Sequence, residues 1–493
     1  MMLAAEAAPY AKVGGLADVV GSLPKVLEPF GVDVTVIIPA YKSVNSKLPA
    51  SQFIPVADFD IPMASFIERA EVGKTRLNGT SVDVYLIGSR RYFDREGIYD
   101  DPATGEGYPD NMERFIFFMK AALELLLRQE IPVDILHCHD SHAGLIPALI
   151  RGEYGGNPRF SEARTLLTIH NLAHQGIYPR KALEHAGIAA EHFFPMSPFE
   201  YWGQVNFMKA GIELADKVNT VSRTYAREIQ QSAELGFGLE EVLRKRKDDL
   251  SGIVNGIDYD EWNPEKDPYL PARYSIKNLS GKEVCKKHLQ QYFRLEQSEK
   301  RVPLIGMISR LTDQKGFDLV AEAVEDLAGL DMQMVFLGSG QIKYQELLTR
   351  IAARYPEKFA VRLGFDDELA HRIEAGCDLF LMPSKFEPCG LNQLYSLRYG
   401  TIPVVRKTGG LSDTVIDYER GKGTGFTFSE YSSRAMVACI GKALKAYSDV
   451  YSWKVLMIRA MSQDWSWTAS ARKYVRLYET ILSGKSARNA GRH

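Results

Sequence analysis

The sequence predicts an α/β protein of two doubly wound domains facing each other across a cleft. Three observations carry this expectation. The chain has 493 residues, too many for one ordinary hydrophobic core. Short apolar runs, each followed by a loop or an amphipathic stretch, come in two series separated by a polar segment. Glycine- and charge-bearing loops follow the strand ends in both series, which is where open α/β sheets bind ligands.

Taken in order, Met1 to Ala5 supplies only a stub of strand before the first loop, an abrupt start that reads as a shortened N-terminus. Residues 34–38, 133–136, 165–169 and 217–221 are expected as buried parallel strands. Residues 111–128 read as a long helix with Phe115, Phe118, Met119, Ala122 and Leu126 on one face. Residues 258–301, polar and rich in Lys, Pro and Tyr, read as a connector. The second strand series is 304–308, 334–337, 379–382 and 402–405. The first domain is expected to span 1–257, and 258–467 to hold the linker and the second domain.

Hydrophobic residues make up 45% and charged residues 25% of the chain, the balance of a soluble globular protein. A formal net charge of -2 gives no global basic field, so neither nucleic acid nor an anionic membrane is an expected partner. No apolar run approaches the ~20 residues of a membrane span, and no secretory leader is visible. The five cysteines form no CxxC pair, which fits a reducing compartment such as the cytoplasm.

The first loop with chemical potential is Lys12-Val13-Gly14-Gly15-Leu16-Ala17-Asp18. Two glycines let backbone amides approach an anion, the following helix offers its positive end, and Lys12 adds a charge. The alternative is a plain turn before a helix with a solvated lysine. His137-Cys138-His139-Asp140-Ser141-His142 invites a zinc reading, but its order is not that of binuclear metallohydrolases. His174, His185, His192, His288 and His371 sit in no comparable cluster. A sugar-facing Asp140 at a strand end is the favoured reading, with some of these histidines simply packed. His170 ends an apolar strand and Asn255 precedes Gly256, in a ligand site or in a turn.

In the second series, Arg310 and Lys315 flank a short loop between a strand and a helix, where two cations can hold a departing diphosphate without a metal. Glu387 lies in a Pro- and Gly-bounded loop that borders the cleft. It is expected to address sugar hydroxyls and to be removable without harm to the fold. Gly390 and the helix start behind it can receive another anion, and Thr408-Gly409-Gly410 repeats the glycine-pair logic of the first loop. A divalent ion held by paired aspartates is not expected, because Asp100-Asp101, Asp248-Asp249 and Asp366-Asp367 are adjacent pairs whose members face opposite ways on a strand.

These loops together, Lys12 to Asp18, His137 to Gly144, Ser309 to Gly316, Glu387 to Leu391 and Thr408 to Val415, resemble those of bacterial glycogen synthases and plastid starch synthases, in order and over nearly the whole chain. The resemblance implies the GT-B architecture, two Rossmann-like domains with the active site between them, and a last helix at 468–484 that returns to the first domain. It implies metal-independent, retaining transfer of glucose from ADP-glucose to the non-reducing end of an α-1,4-glucan, glycogen or starch, with no cofactor. By position, Lys12, Gly14, Gly15 and Asp18 would meet the donor, and Arg310 and Lys315 its phosphates. His170, Asn255 and Asp140 would surround the glucose. Glu387 would engage it from the second domain, with Cys389, Gly390 and Leu391 backing the phosphate. Gln314 and Thr408 would line the site and Phe365 would stack on the base. The family usually carries Trp after the aspartate of the HxHD loop, where this chain has Ser141, a departure on the acceptor side. The alternatives are UDP-glucose as donor, a metallohydrolase built on residues 137–142, and a glucan-binding protein without activity. Oligomeric state is left open, and a plastid stroma would replace the cytoplasm for a plant protein.

Overall fold

The computed structural model describes residues 1–49, 52–297 and 300–489. The chain divides into two units: Met1–Val221 with Ala226–Ile253 and the segment from Trp467, and Ser222–Tyr225 with Val254–Ser466.

The first unit holds β1 (Met2–Leu3), β2 (Thr35–Pro39), β3 (Ile54–Pro62), β4 (Ile67–Arg76), β5 (Asp83–Gly88), β6 (Ile135–His139), β7 (Arg164–Ile169), β8 (Ile177–Tyr178), β9 (Glu200–Tyr201), β10 (Gln204–Asn206), β11 (Lys217–Thr220) and β12 (Leu250–Gly252). Nine of them form one sheet in the order β12-β11-β7-β6-β1-β2-β5-β4-β3, and β8, β10 and β9 form a small antiparallel one. The large sheet is parallel from β12 to β5, while β4 and β3 extend it antiparallel. Parallel strands are covered on both faces, so they read as unbroken apolar runs, whereas the β3–β4 hairpin alternates charged and apolar residues and passes for loop in the sequence. β1 is two residues long yet pairs on both sides, Met2 with Val36 and His137, Leu3 with Ile37 and Cys138. The helix Asn111–Arg128 has the predicted bounds, but it is buried well beyond its predicted face, with Ile116, Phe117, Leu123 and Leu125 also enclosed. The helix Trp467–Asn489 belongs to this unit, where Tyr474 and Tyr478 are buried.

The second unit holds β13 (Leu304–Ile308), β14 (Gln333–Gly338), β15 (Phe359–Leu363), β16 (Leu379–Met382), β17 (Ile402–Arg406) and β18 (Phe426–Phe428). All are parallel, in the order β15-β14-β13-β16-β17-β18. Counted from its first strand this is the doubly wound order 3-2-1-4-5-6, which reverses between β13 and β16. One apolar cluster, including Met334, Phe336, Leu381 and Trp453, and another, including Val335, Leu337, Phe380 and Val405, draw on alternate residues of the same strands, as a sheet covered on both faces requires.

Residues 258–301 are more than the expected connector. Trp262, Tyr274 and Cys285 are buried in a cluster with Leu394 and Tyr399, and the segment forms the helix Ser280–Tyr292. Its aromatic residues, which polar neighbours mask in the sequence, carry this packing. Among the described residues no helix is long and apolar enough to cross a membrane.

Candidate active site

In the first unit the strand order reverses between β1 and β6, and the loops after these strands carry the predicted residues. Glu6, which sequence reasoning passed over, organises the first. Its buried carboxylate accepts the amides of Val13 (2.5 Å) and Gly14 (3.0 Å) through Oε2, and the Tyr99 hydroxyl donates to Oε1 (2.5 Å). The glycine-pair loop was expected to offer its amides to an external anion; two neighbouring amides are already held by an internal one. The open end of the helix Gly15–Leu27 is what remains for a ligand, and a Cβ on Gly14 at its N-cap would meet nothing within 4 Å. Lys12 pairs with Asp18 at 2.7 Å. Burial raises the Glu6 carboxyl above its ordinary range, against the hydrogen bonds that favour its charge. A lone carboxylate among alanines just past a strand was the available signal.

Asp140 has a left-handed backbone (φ 55) and is 7% exposed. Its Oδ1 accepts the His170 amide at 2.7 Å, and the Asn171 amide also bonds the carboxylate. Expected to face a sugar, Asp140 also braces the backbone that presents His170. Burial pushes its carboxyl up to about 7, partly offset by these amides. His170 Nε2 lies 2.9 Å from Nδ1 of His139, a buried residue that the sequence reading used only in its metal alternative and whose Nε2 has no hydrogen-bond partner. Burial pulls His170 down to about 3 and His139 well below the usual imidazole range, so both rings are neutral near pH 7, one donating and the other accepting.

Among the described residues, 137–142 do not bring three metal-ligating atoms together. His137 has both ring nitrogens occupied, by the Tyr478 hydroxyl (2.8 Å) and by Thr168 Oγ1 (2.7 Å), and His142 packs on the rings of Tyr99 and Phe115. Ser141 donates to the His174 carbonyl at 3.0 Å, tying the loop after β6 to the one after β7.

In the second unit the loops after β13 and β16 flank the reversal, and they are bonded to each other. Lys315 Nζ meets Glu387 Oε2 at 2.6 Å, and Ser384 Oγ donates to the same oxygen at 3.0 Å. Gln314 donates through Nε2 to the Phe386 carbonyl (3.1 Å) and accepts the Lys385 amide on its own carbonyl (2.8 Å). Gly316 makes this approach possible: its φ is +76°, and a Cβ would stand 2.3 Å from the Pro383 carbonyl oxygen. Sequence reasoning gave Lys315 to a phosphate and Glu387 to a sugar; here each is also the other's partner. Glu387 is 5% exposed, so it is part of the packed interior and not the dispensable loop residue expected. Arg310 is exposed.

The Gly409-Gly410 pair also has a packing role. The Gly410 amide donates to the Glu387 carbonyl at 3.1 Å, and a Cβ on Gly409 would lie 1.9 Å from that oxygen. These glycines let the backbone carrying Glu387 come close. Thr408, at the N-cap of the short helix Gly409–Thr414, is buried. Cys389 is buried, its thiol pushed up to about 12 by burial, with the Asn255 amide opposing. Asn255 is 3% exposed, and its Oδ1 has no hydrogen-bond partner. Gly390 (φ +73°) and Leu391 lead into the helix Asn392–Tyr399. Phe365 is 84% exposed, one residue before the N-cap Asp366 of the helix Asp367–Gly376.

The expectation about aspartates overlooked two Asp-x-Asp triplets. Asp58 and Asp60 both face Arg69 across the β3–β4 hairpin, at 3.2 and 3.7 Å. Asp258 accepts the Asp260 amide at 2.8 Å, and Asp260 pairs with Lys266. A cavity of about 710 Å³ opens elsewhere in the first unit, by Arg164 and Lys217 at the starts of β7 and β11. Of its cations, Lys217 and Arg246 pair with Asp249, and Arg151 lies 3.7 Å from Asp216.

Comparison with known proteins shows the family. The starch synthase catalytic domain family matches residues 1–245, and the glycosyl transferases group 1 family matches 290–452. The glycogen synthase of Moorella thermoacetica is 44% identical over 491 residues, covering 99% of this chain and 97% of its own. That of Desulforudis audaxviator is 45% identical, covering 98% and 96%. The chain belongs to the glycogen and starch synthase family. Among solved structures, the catalytic domain of starch synthase IV from Arabidopsis thaliana, bound to ADP and acarbose, superposes with a TM-score of 0.88 at 34% identity over 98% of this chain and 99% of that one. This family member is thus a GT-B glycosyltransferase, and each of its Rossmann-like units carries its charged loops at a strand-order reversal. Beyond Glu6 and His139, Ser384 and Gln393 bond these loops in ways the sequence did not flag. Gln393 donates to the carbonyls of Cys389 and Gly390.

Proposed function

We propose that this enzyme transfers glucose from ADP-glucose to the non-reducing end of an α-1,4-glucan, with retention of configuration and without a metal in the chemical step. The observation that carries the reading is the Lys315–Glu387 pair, held at 2.6 Å by the two loops that flank the strand-order reversal of the second unit. An ammonium has three N–H donors, so Lys315 can keep Glu387 and still donate to a phosphate. Arg310 adds a second cation on the same loop. Together they stabilise the departing diphosphate as its charge grows. Phe365 offers an exposed ring to the base. ADP is supported by the Arabidopsis starch synthase, whose structure holds that nucleotide; acarbose in the same structure supports a glucan acceptor.

His170 serves the reacting glucose. As a neutral ring it can accept or donate a hydrogen bond without placing a positive charge beside an oxocarbenium-like centre. Asp140 and His139 act through it, one fixing its backbone and the other its ring. The departing phosphate takes the acceptor's proton on the same face, which yields retention without a covalent intermediate. Lys12, Asp18 and the helix start at Gly14 and Gly15 meet the donor in the first unit. Asn255, Gln314, Cys389, Gly390, Leu391 and Thr408 line the donor loops of the second unit. Five unpaired, buried cysteines support a reducing, cytoplasmic setting.

The test is transfer of radiolabelled glucose to glycogen from ADP-glucose and UDP-glucose at equal concentration, with and without exhaustive chelation. ADP-glucose is expected to react faster, and chelation to leave turnover intact. Arg310→Ala and Lys315→Ala should each lose turnover at saturating donor, with no rescue by magnesium. Faster reaction with UDP-glucose would overturn the donor assignment. Abolition by chelator with recovery on adding a divalent ion would overturn the mechanism.

A further inference from the structure

A group of side chains in the second unit, outside the site described above, has the composition and placement of a metal centre. Asp367 and His371 are four residues apart on the helix Asp367–Gly376, so they share a face. Glu261, from the segment before β13, comes to the same place: a ring nitrogen of His371 and a carboxylate oxygen each of Glu261 and Asp367 all lie within 4.8 Å of one another. The sequence shows none of this, because Glu261 and Asp367 are over a hundred positions apart.

His371 supplies the decisive detail. It is 1% exposed, and its ring is stacked 3.8 Å from Trp262 at an interplanar angle of 12°. Its Nδ1 lies 2.8 Å from Asp267 Oδ2, which also accepts the Tyr399 hydroxyl at 2.5 Å. Its Nε2 is buried without a hydrogen-bond partner. An orphaned buried ring nitrogen is costly. With Nδ1–H donating to Asp267, Nε2 carries a lone pair. A carboxylate behind an imidazole whose other nitrogen is free is the arrangement that orients histidines toward a metal.

We propose that Glu261, Asp367 and His371 bind one divalent transition-metal ion, best matched by zinc, with water completing the coordination. One imidazole and two carboxylates suit zinc, whereas magnesium prefers oxygen ligands alone. Tetrahedral bonds of ~2.1 Å place ligand atoms about 3.4 Å apart. The carboxylates must therefore move inward on binding; Glu261 and Asp367 are both exposed. The ion would clasp the segment around Trp262 to the start of the helix that carries His371. None of its three ligands is among the residues assigned to the donor or the acceptor, so the ion is a stabilising centre and not a catalytic one.

The test uses the full-length protein, stripped with chelator and dialysed, then titrated calorimetrically with zinc chloride and, separately, with magnesium chloride. One zinc per chain is expected, with a rise in melting temperature and no response to magnesium. Glu261→Gln and Asp367→Asn are each compared with their own zinc-free form, which separates loss of the ion from loss of any other contact the side chain makes. Each should weaken zinc binding on the order of 100-fold and lose the thermal shift. Glucose transfer by the parent should be the same with and without zinc. Absence of a stoichiometric zinc site, or zinc binding unchanged in both variants, would overturn the proposal. So would a ring proton on Nε2 of His371 in the zinc-saturated protein, detected by nitrogen-correlated NMR.

Discussion

Replacing Glu387 by Gln keeps the shape of the side chain and removes its charge from beside Lys315. The two charged groups stand 2.6 Å apart and are 7% and 18% exposed. At an effective dielectric of about 20 their direct attraction is about 6 kcal/mol, an upper bound that the desolvation of both groups offsets. The amide oxygen of Gln still accepts a hydrogen bond, so the expected loss of stability is about 1–3 kcal/mol. At roughly 2–4 °C per kcal/mol the transition that reports the second unit should fall by several degrees. Turnover should fall further in relative terms, on the order of 10²-fold, equivalent to about 2.7 kcal/mol of barrier. The two effects separate if urea unfolding is followed alongside initial rates measured well below the transition. Lys315→Met and the double variant complete a cycle whose coupling in stability should exceed about 1 kcal/mol. A Glu387→Gln enzyme that transfers glucose within about threefold of the parent rate would refute the assignment of Glu387 to the reacting sugar. Additive effects within about 0.5 kcal/mol would refute the claim that the pair acts as a unit.

Phe365→Ala should leave the melting temperature unchanged, because the ring is 84% exposed, and raise the Michaelis constant for the donor far more than it lowers turnover; the reverse pattern would remove Phe365 from the base site. Gly409→Ala drives a Cβ to within 1.9 Å of the Glu387 carbonyl oxygen at a φ of +44°, so it should destabilise the protein by at least about 1–3 kcal/mol and depress turnover together, checked by denaturation and rates on the same sample. Glu374 is buried, its Oε2 accepting from Ser396 at 2.7 Å, and burial pushes its carboxyl up to about 8 against the pull of Ser396 and Lys282. A folded-state pKa raised above the unfolded 4.5 means its stabilising share is complete below pH 4.5 and lost as pH rises through about 8. Glu374→Gln should therefore gain stability relative to the parent between pH 5 and 9, and a gap in urea midpoints that stays flat over that range would contradict the assignment.

Much of this protein is legible along the chain. Parallel strands buried on both faces announce themselves as apolar runs, and the runs at 304–308 and 379–382 have the same bounds as β13 and β16. The motifs that carry the family are contiguous too, so the resemblance could be drawn from five short loops, and the comparisons bear out the family. What a side chain faces is a different kind of fact. Lys315 and Glu387 are seventy-two positions apart and meet only because the strand order reverses between β13 and β16. Glu6 reaches across its own loop to hold two amides that the sequence offered to a ligand, and Asp140 turns to the backbone of His170. Asp367 and His371 mark one face of a helix, but Glu261 arrives from elsewhere in the fold. Local pattern fixes backbone conformation because hydrophobic period and turn chemistry act over a few residues. The partners of a buried charge or a ring nitrogen are set by which strand ends the topology brings side by side, and that is decided by the tertiary structure.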